Sequence, residues 1–321
     1  NVVSLLTLTV ALTLVAFGRG LIDDQPPPPA SVVTITAQGL SFDAPDEIPQ
    51  GWTTFRFDNA SGMTHFALLE RLPDGIGVEE HQTEVAPLFQ TGFEQMAAGK
   101  SEAADDTFGQ LPKWFGDVVF LGGPGLLGAG QSAQATVHLT PGTYLLECYV
   151  KTNGTFHSYN PVPGKHGMVR EITVTAEERS ASAPEPSVKL TLSAENGIER
   201  ASDAPLTPGT HTVAVHFQDQ AAYANFVGHD VHLARLEADT DVAALADWMD
   251  WTRPEGLTTP APVSFVGGLN EMPAGETGYV TVDLTPGRYA WVAEVPTPDQ
   301  KGMLKTFTVP DGDELTTRDG N

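Results

Sequence analysis

Two halves of this chain carry the same punctuation. Ala135-Thr-Val-His-Leu-Thr-Pro-Gly-Thr-Tyr144 returns as Tyr279-Val-Thr-Val-Asp-Leu-Thr-Pro-Gly-Arg-Tyr289. Val119-Phe-Leu-Gly-Gly123 returns as Ser264-Phe-Val-Gly-Gly268, and Gly167-Met-Val-Arg-Glu-Ile-Thr-Val174 as Gly302-Met-Leu-Lys-Thr-Phe-Thr-Val309. His65-Phe-Ala-Leu-Leu-Glu-Arg-Leu72 matches His229-Asp-Val-His-Leu-Ala-Arg-Leu236. Self-similarity at this spacing means one folding unit used twice. Each unit is a set of short strands rich in β-branched residues, such as Val-Val-Thr-Ile-Thr at 32–36, joined by Thr-Pro-Gly turns. Such a unit is large enough to close a β-sandwich. The sequence therefore predicts an all-β protein of two antiparallel β-sandwich domains, at 31–175 and 188–310. Each has one helical excursion, at 78–99 and 241–251.

The flanks read differently. Residues 2–18 carry no charge, and a helix of that length is about 26 Å long, near the lower limit for crossing a bilayer. A signal-peptide core ending at Ala16-Phe-Gly18 is the competing reading. The expected assignment is an N-terminal transmembrane helix within residues 1–20. A Pro-rich spacer follows at 21–30, whose four consecutive prolines favour an extended rod. Residues 176–187 read as an interdomain linker, and 311–321 as a polar tail. This places the globular part in the periplasm on a single-pass inner-membrane anchor.

The chain has 41 Asp and Glu against 17 Lys and Arg. A phosphate-binding surface needs a basic stripe, so nucleic acid is excluded as a partner. A soluble partner would carry a basic face, as a c-type cytochrome does. The other expected partners are subunits of a membrane complex and the bilayer itself.

The segment Thr140-Pro-Gly-Thr-Tyr-Leu-Leu-Glu-Cys148 resembles the penultimate strand of a cupredoxin, which ends in a copper-ligating Cys. Gly167-Met168 before the last strand, and Asn59-Ala-Ser-Gly-Met-Thr-His65 as a turn leading to the first His, fit the same family. The resemblance covers 31–175 and, more weakly, 188–310, and is close to bacterial lipoprotein-like relatives of that family. It implies a cupredoxin-like fold for both domains and a set of copper ligands in the first: His65, Cys148, His157 or His166, and Met168. One thiolate, two imidazoles and a weak thioether are what a blue-copper ion takes. The spacing departs from the family. Eight residues separate Cys148 from His157, and ten separate His157 from Met168. The expectation is accordingly a vestigial site with no cofactor, Cys148 serving as a small buried hydrophobe, and with copper as the alternative. In the second domain Ala293 stands where Cys148 does, and no His lies between it and Met303. That domain should hold no copper.

Other motifs fail on context. Gly123-Pro-Gly-Leu-Leu-Gly128 matches a dinucleotide fingerprint without a following helix. Asn59-Ala-Ser61 and Asn153-Gly-Thr155 match the glycosylation pattern, which is common by chance. His81 and His138 read as surface residues. His229 and His232, three apart on a strand, point to opposite faces. Trp248, Trp251 and Phe265 read as core or interface. The nine histidines form no His-x-His pair, so the chain is expected not to be an enzyme. The expected role is an accessory subunit of a respiratory or photosynthetic electron-transfer complex, its domains serving as docking surface. A membrane-tethered type 1 copper carrier is the alternative.

Overall fold

The computed structural model describes residues 30–179 and 181–311. The expected anchor, nearly all of the Pro-rich spacer and the tail from residue 312 lie outside the described residues. Among the described residues no helix is long and apolar enough to cross a membrane.

The first half is built from β1 (Ser31–Gln38), β2 (Glu47–Asn59), β3 (Leu68–Arg71), β4 (Ser132–Leu139), β5 (Gly142–Glu147) and β6 (Val169–Glu178). The second uses β7 (Val188–Ser193), β8 (Gly209–Phe217), β9 (Val231–Leu236), β10 (Ser264–Leu269), β11 (Thr277–Leu284), β12 (Gly287–Val292) and β13 (Leu304–Val309). Period-2 alternation explains most of them: β1 buries Val33, Ile35 and Ala37 and turns Val32 out to solvent.

β2 belongs to two sheets. Its first residues pair with β6, and the remainder lies between β1 and β4. On the other side of the sandwich, β5 is flanked by β6 and β3. The second half repeats the plan: β8 lies between β7 and β11, and β9 between β10 and β12, with β13 outside β12.

The sheets are mixed rather than antiparallel throughout. β1 pairs parallel with β2, β6 with β2, and β7 with β8. After β1 the chain doubles back through the short strand Ser41–Asp43 before entering β2. Alternation is the same in either direction, so it does not report this.

The halves are not separate bodies on a linker. Edge strand β4 pairs with edge strand β11 (Thr136 opposite Tyr279, Ala135 opposite Val280), giving one sheet continuous through both halves. Each half thus covers the other's exposed edge. Both Thr-Pro-Gly turns are locked the same way. The Tyr144 hydroxyl donates to the Thr140 carbonyl at 2.9 Å, and the Tyr289 hydroxyl to that of Thr285 at 3.0 Å. β6 runs to Glu178, so the linker is shorter at its start than expected.

Helix content exceeds the expected excursions. The first includes a π turn (His81–Val85), α1 (Ala86–Ala97), α2 (Ser101–Phe108) and a 3₁₀ turn (Lys113–Asp117). Phe108 packs so tightly over Gly92 that a Cβ there would lie 2.3 Å from its ring. The second excursion is α3 (Val242–Trp248), capped by the Asp241 carboxylate on the Ala243 and Ala244 N–H groups.

Candidate metal centre

Cys148 lies at the end of β5, where the ladder stops and a side chain can turn inward. Three main-chain hydrogen bonds tie its neighbourhood together: Cys148 N–H to the Met168 carbonyl (3.1 Å), Met168 N–H to the His157 carbonyl (2.6 Å) and His157 N–H to the Val150 carbonyl (2.8 Å). The long gap between Cys148 and His157 is taken up by a hairpin. Lys151–Thr152 pairs with Thr155–Phe156 across Asn153-Gly154, whose φ angles are +52° and +78°. Asn-Gly is the preferred pair for such two-residue turns because both positions need φ > 0. The chain doubles back, and His157 arrives beside Cys148.

His65 comes from the facing sheet. Asn59 is buried, and its amide donates to the Met63 and Leu127 carbonyls at 2.8 and 2.9 Å, which shapes the turn before His65. This burial also removes Asn59 as a glycan acceptor. His65 N–H then bonds the Leu127 carbonyl at 3.2 Å.

The three donor atoms form a compact triangle. Cys148 Sγ lies 3.5 Å from His65 Nδ1 and 3.8 Å from His157 Nδ1, and the two Nδ1 atoms are 3.2 Å apart. The point equidistant from atoms so placed is about 2.0 Å from each, the length of a metal–imidazole bond. All three residues are buried, as is Met168, whose main chain bonds both Cys148 and His157. His166 does not join them. It is on the surface with its Nε2 2.9 Å from Glu79, and the Asn160 amide holds its carbonyl.

The electrostatics suit a cation. Burial lowers the His65 pKa to about 4, partly offset by the Gly39 carbonyl. Burial and the neighbouring His65 lower His157 to about 3. Both imidazoles are therefore neutral at pH 7. Burial pushes the Cys148 thiol up to about 12, against the Phe66 and Val150 N–H groups that point at its sulfur. Those two donors favour the thiolate once a metal displaces the proton.

The second half supports this site from outside. His157 Nε2 is 2.8 Å from the Thr152 hydroxyl, itself 2.8 Å from the Thr259 hydroxyl. With Nε2 donating outward, Nδ1 keeps its lone pair for the centre. Residues 257–259 bracket the hairpin through Lys151 N–H to Leu257 (2.7 Å) and Thr259 N–H to Lys151 (2.8 Å).

The same hydrogen-bond pattern identifies the equivalent position in the second half. Ala293 N–H bonds Met303, and Met303 N–H bonds Pro298. Ala293 thus replaces Cys148, Pro298 replaces His157, and the His229 Nε2 is 2.9 Å from the Tyr223 hydroxyl. His229 and His232 do not meet: His232 bonds Asp230 and the Leu126 N–H.

The donor set of soft thiolate and two imidazoles fits copper. Sequence reasoning missed Thr152, Thr259 and the hairpin. The Asn153-Gly154 pair was the available signal. It also misplaced His81, which is buried against Glu147 rather than on the surface.

In each half two sheets pack together, a Thr-Pro-Gly turn opens the penultimate strand, and Gly-Met precedes the last. No family model matches the chain, nor does any curated protein. Among solved structures it is similar to auracyanin B (21% identity, 40% of this chain and 94% of that chain, TM-score 0.29). It is also similar to auracyanin A, a "blue" copper protein from the green thermophilic photosynthetic bacterium Chloroflexus aurantiacus (21%, 46% and 99%, TM-score 0.27). A multicopper oxidase is similar over 87% of each chain at 13% identity and TM-score 0.20. That last structure is an enzyme, so the expectation of a non-enzymatic chain is withdrawn.

Proposed function

We propose that the first half is a type 1 copper centre and that the chain serves one-electron transfer. The observation that supports this reading is the triangle of His65 Nδ1, His157 Nδ1 and Cys148 Sγ around a point at bonding distance from all three. Two imidazoles and one thiol, all buried and facing one another, are the donor types a blue-copper ion takes. Copper bound there would supply a one-electron couple. The chain's residues do the rest. Cys148, with the Phe66 and Val150 N–H groups on its sulfur, offers a thiolate. His65 and His157 are held neutral by burial, and Met168, whose main chain bonds both Cys148 and His157, would supply the weak fourth donor. Burial of all four excludes water and fixes the ligands against rearrangement. Residues 2–18 would tether such a carrier to a membrane, and its acidic surface would favour a basic partner.

The test is copper loading of purified protein followed by visible absorption. One copper per chain and an intense thiolate-to-copper band, lost in Cys148→Ser, is the expected result. A copper-loaded protein with reduced Cys148 and no such band sinks the reading and leaves the accessory-subunit role.

A further inference from the structure

A second cluster of buried polar groups lies on the other face of the strand that carries Cys148. Glu147 precedes Cys148, so its side chain points the opposite way. There it meets Glu70 and His81, and the ligand-type atoms of the three lie within 4.8 Å of one another. They form one end of a cavity of about 70 Å³ between the two halves, which Glu271 also reaches. The other walls are mostly apolar, with Phe89, Phe115, Phe120, Phe156, Phe226 and Trp251 among them. Glu70 is 1% exposed, and its Oε2 has no hydrogen-bond partner. An unpartnered buried carboxylate oxygen asks for a donor.

His81 narrows what that donor is. The Gln82 amide is fixed in orientation: its nitrogen donates to the Ser158 carbonyl at 2.9 Å, and its oxygen accepts from the Gly167 N–H at 2.8 Å. The same nitrogen lies 3.1 Å from His81 Nδ1, which must accept. The ring's hydrogen is therefore on Nε2, facing Glu147 at 3.6 Å. The imidazole offers the cavity no lone pair, which disfavours a metal ion. The Glu147 carboxylate and the unpartnered Glu70 oxygen remain as acceptors, beside aromatic rings of a kind that attract cations. The protein already holds one buried amino group against an aromatic ring, on main-chain carbonyls. Lys151 Nζ sits on the Trp251 and Arg253 carbonyls at 2.6 and 3.0 Å, 3.7 Å from the centre of the Phe93 ring.

We propose that this cavity binds a small organic ammonium ion, its N–H groups on Glu70 and Glu147 and its short carbon chain against the aromatic walls. The volume equals about two water shares, which limits the occupant to an ammonium head with one or two carbons. Phe226, 46% exposed and at φ +66°, stands at the mouth. The site does not depend on the copper reading.

Calorimetry with ethylammonium chloride on the whole chain tests this, with ethanol as the neutral isostere and Mn²⁺ as the competing cation. One-to-one binding of ethylammonium is expected, weakened at least tenfold in Glu70→Gln and in Ala86→Leu, which enlarges a small residue of the cavity lining. Absence of binding, equal binding of ethanol, unchanged affinity in both variants, or Mn²⁺ excluding ethylammonium from the site would each overturn the proposal.

Discussion

The Tyr149 hydroxyl donates to the Glu294 carboxyl group at 3.1 Å, and these two residues occupy the same position in the two halves. Each follows the residue whose N–H bonds the buried Met before the last strand, Cys148 in one half and Ala293 in the other. The repeat thus meets itself at this contact. Two copies of one unit have diverged until a phenol faces a carboxyl group. Burial and nearby acidic groups keep both protonated well above their usual ranges.

Ligand choice is the first expected outcome. His157→Ala should abolish the thiolate-to-copper absorption, whereas His166→Ala should leave its position and intensity unchanged. Visible spectra of copper-loaded variants check this. Loss of the band in His166→Ala alone would move the ligand out to the loop.

Support from the second half should be measurable in the first. Thr152→Val removes the acceptor for His157 Nε2. Copper affinity should fall about 10- to 100-fold, as for other outer-shell partners. Thr259→Val should act in the same direction more weakly, because it touches His157 only through Thr152. Competition with a chelator of known affinity reads both. No change in either variant would make the contact incidental.

The Asn153-Gly154 turn should be sensitive to a side chain. Gly154 sits at φ +78°, where a β-branched residue costs about 1–2 kcal/mol. Gly154→Val should lower stability by that amount in denaturant titrations and loosen His157. Gly154→Asn should be tolerated better, since Asn visits this region more readily.

Stability should depend on pH through Glu271. Burial raises its pKa to about 8 from 4.5, against the Gly228 N–H bonded to it. A carboxyl whose folded pKa is raised adds stability that is complete below the unfolded value and is lost as pH rises through the folded one. Wild type should therefore lose about 1 kcal/mol per pH unit relative to Glu271→Gln between about pH 5 and pH 7.5. The difference between the two proteins is the quantity to follow, because Lys151, lowered to about 7 by burial, contributes with the opposite sign above neutrality. Parallel stability curves would show that Glu271 does not hold its proton.

The sequence alone determined the repeat, the all-β class, the two helical excursions and the identity of His65, Cys148 and Met168 as residues worth watching. Strand alternation and turn chemistry are local, so they survive in one dimension. The loss of ligands from the second half was equally readable, since Ala293 cannot bind a metal wherever it lies. What distance along the chain could not decide was whether His157 reaches Cys148. The eight residues between them look too long for a ligand loop until the hairpin folds them back, and the separation is then set by hydrogen bonds across the turn. The parallel pairings, the burial of His81 and the cavity beside Glu70 were likewise decided in three dimensions. Each depends on which surfaces the two halves bury against one another. The joining of β4 to β11, and of Thr152 to Thr259, brings together residues more than a hundred positions apart, and no local pattern records such a meeting.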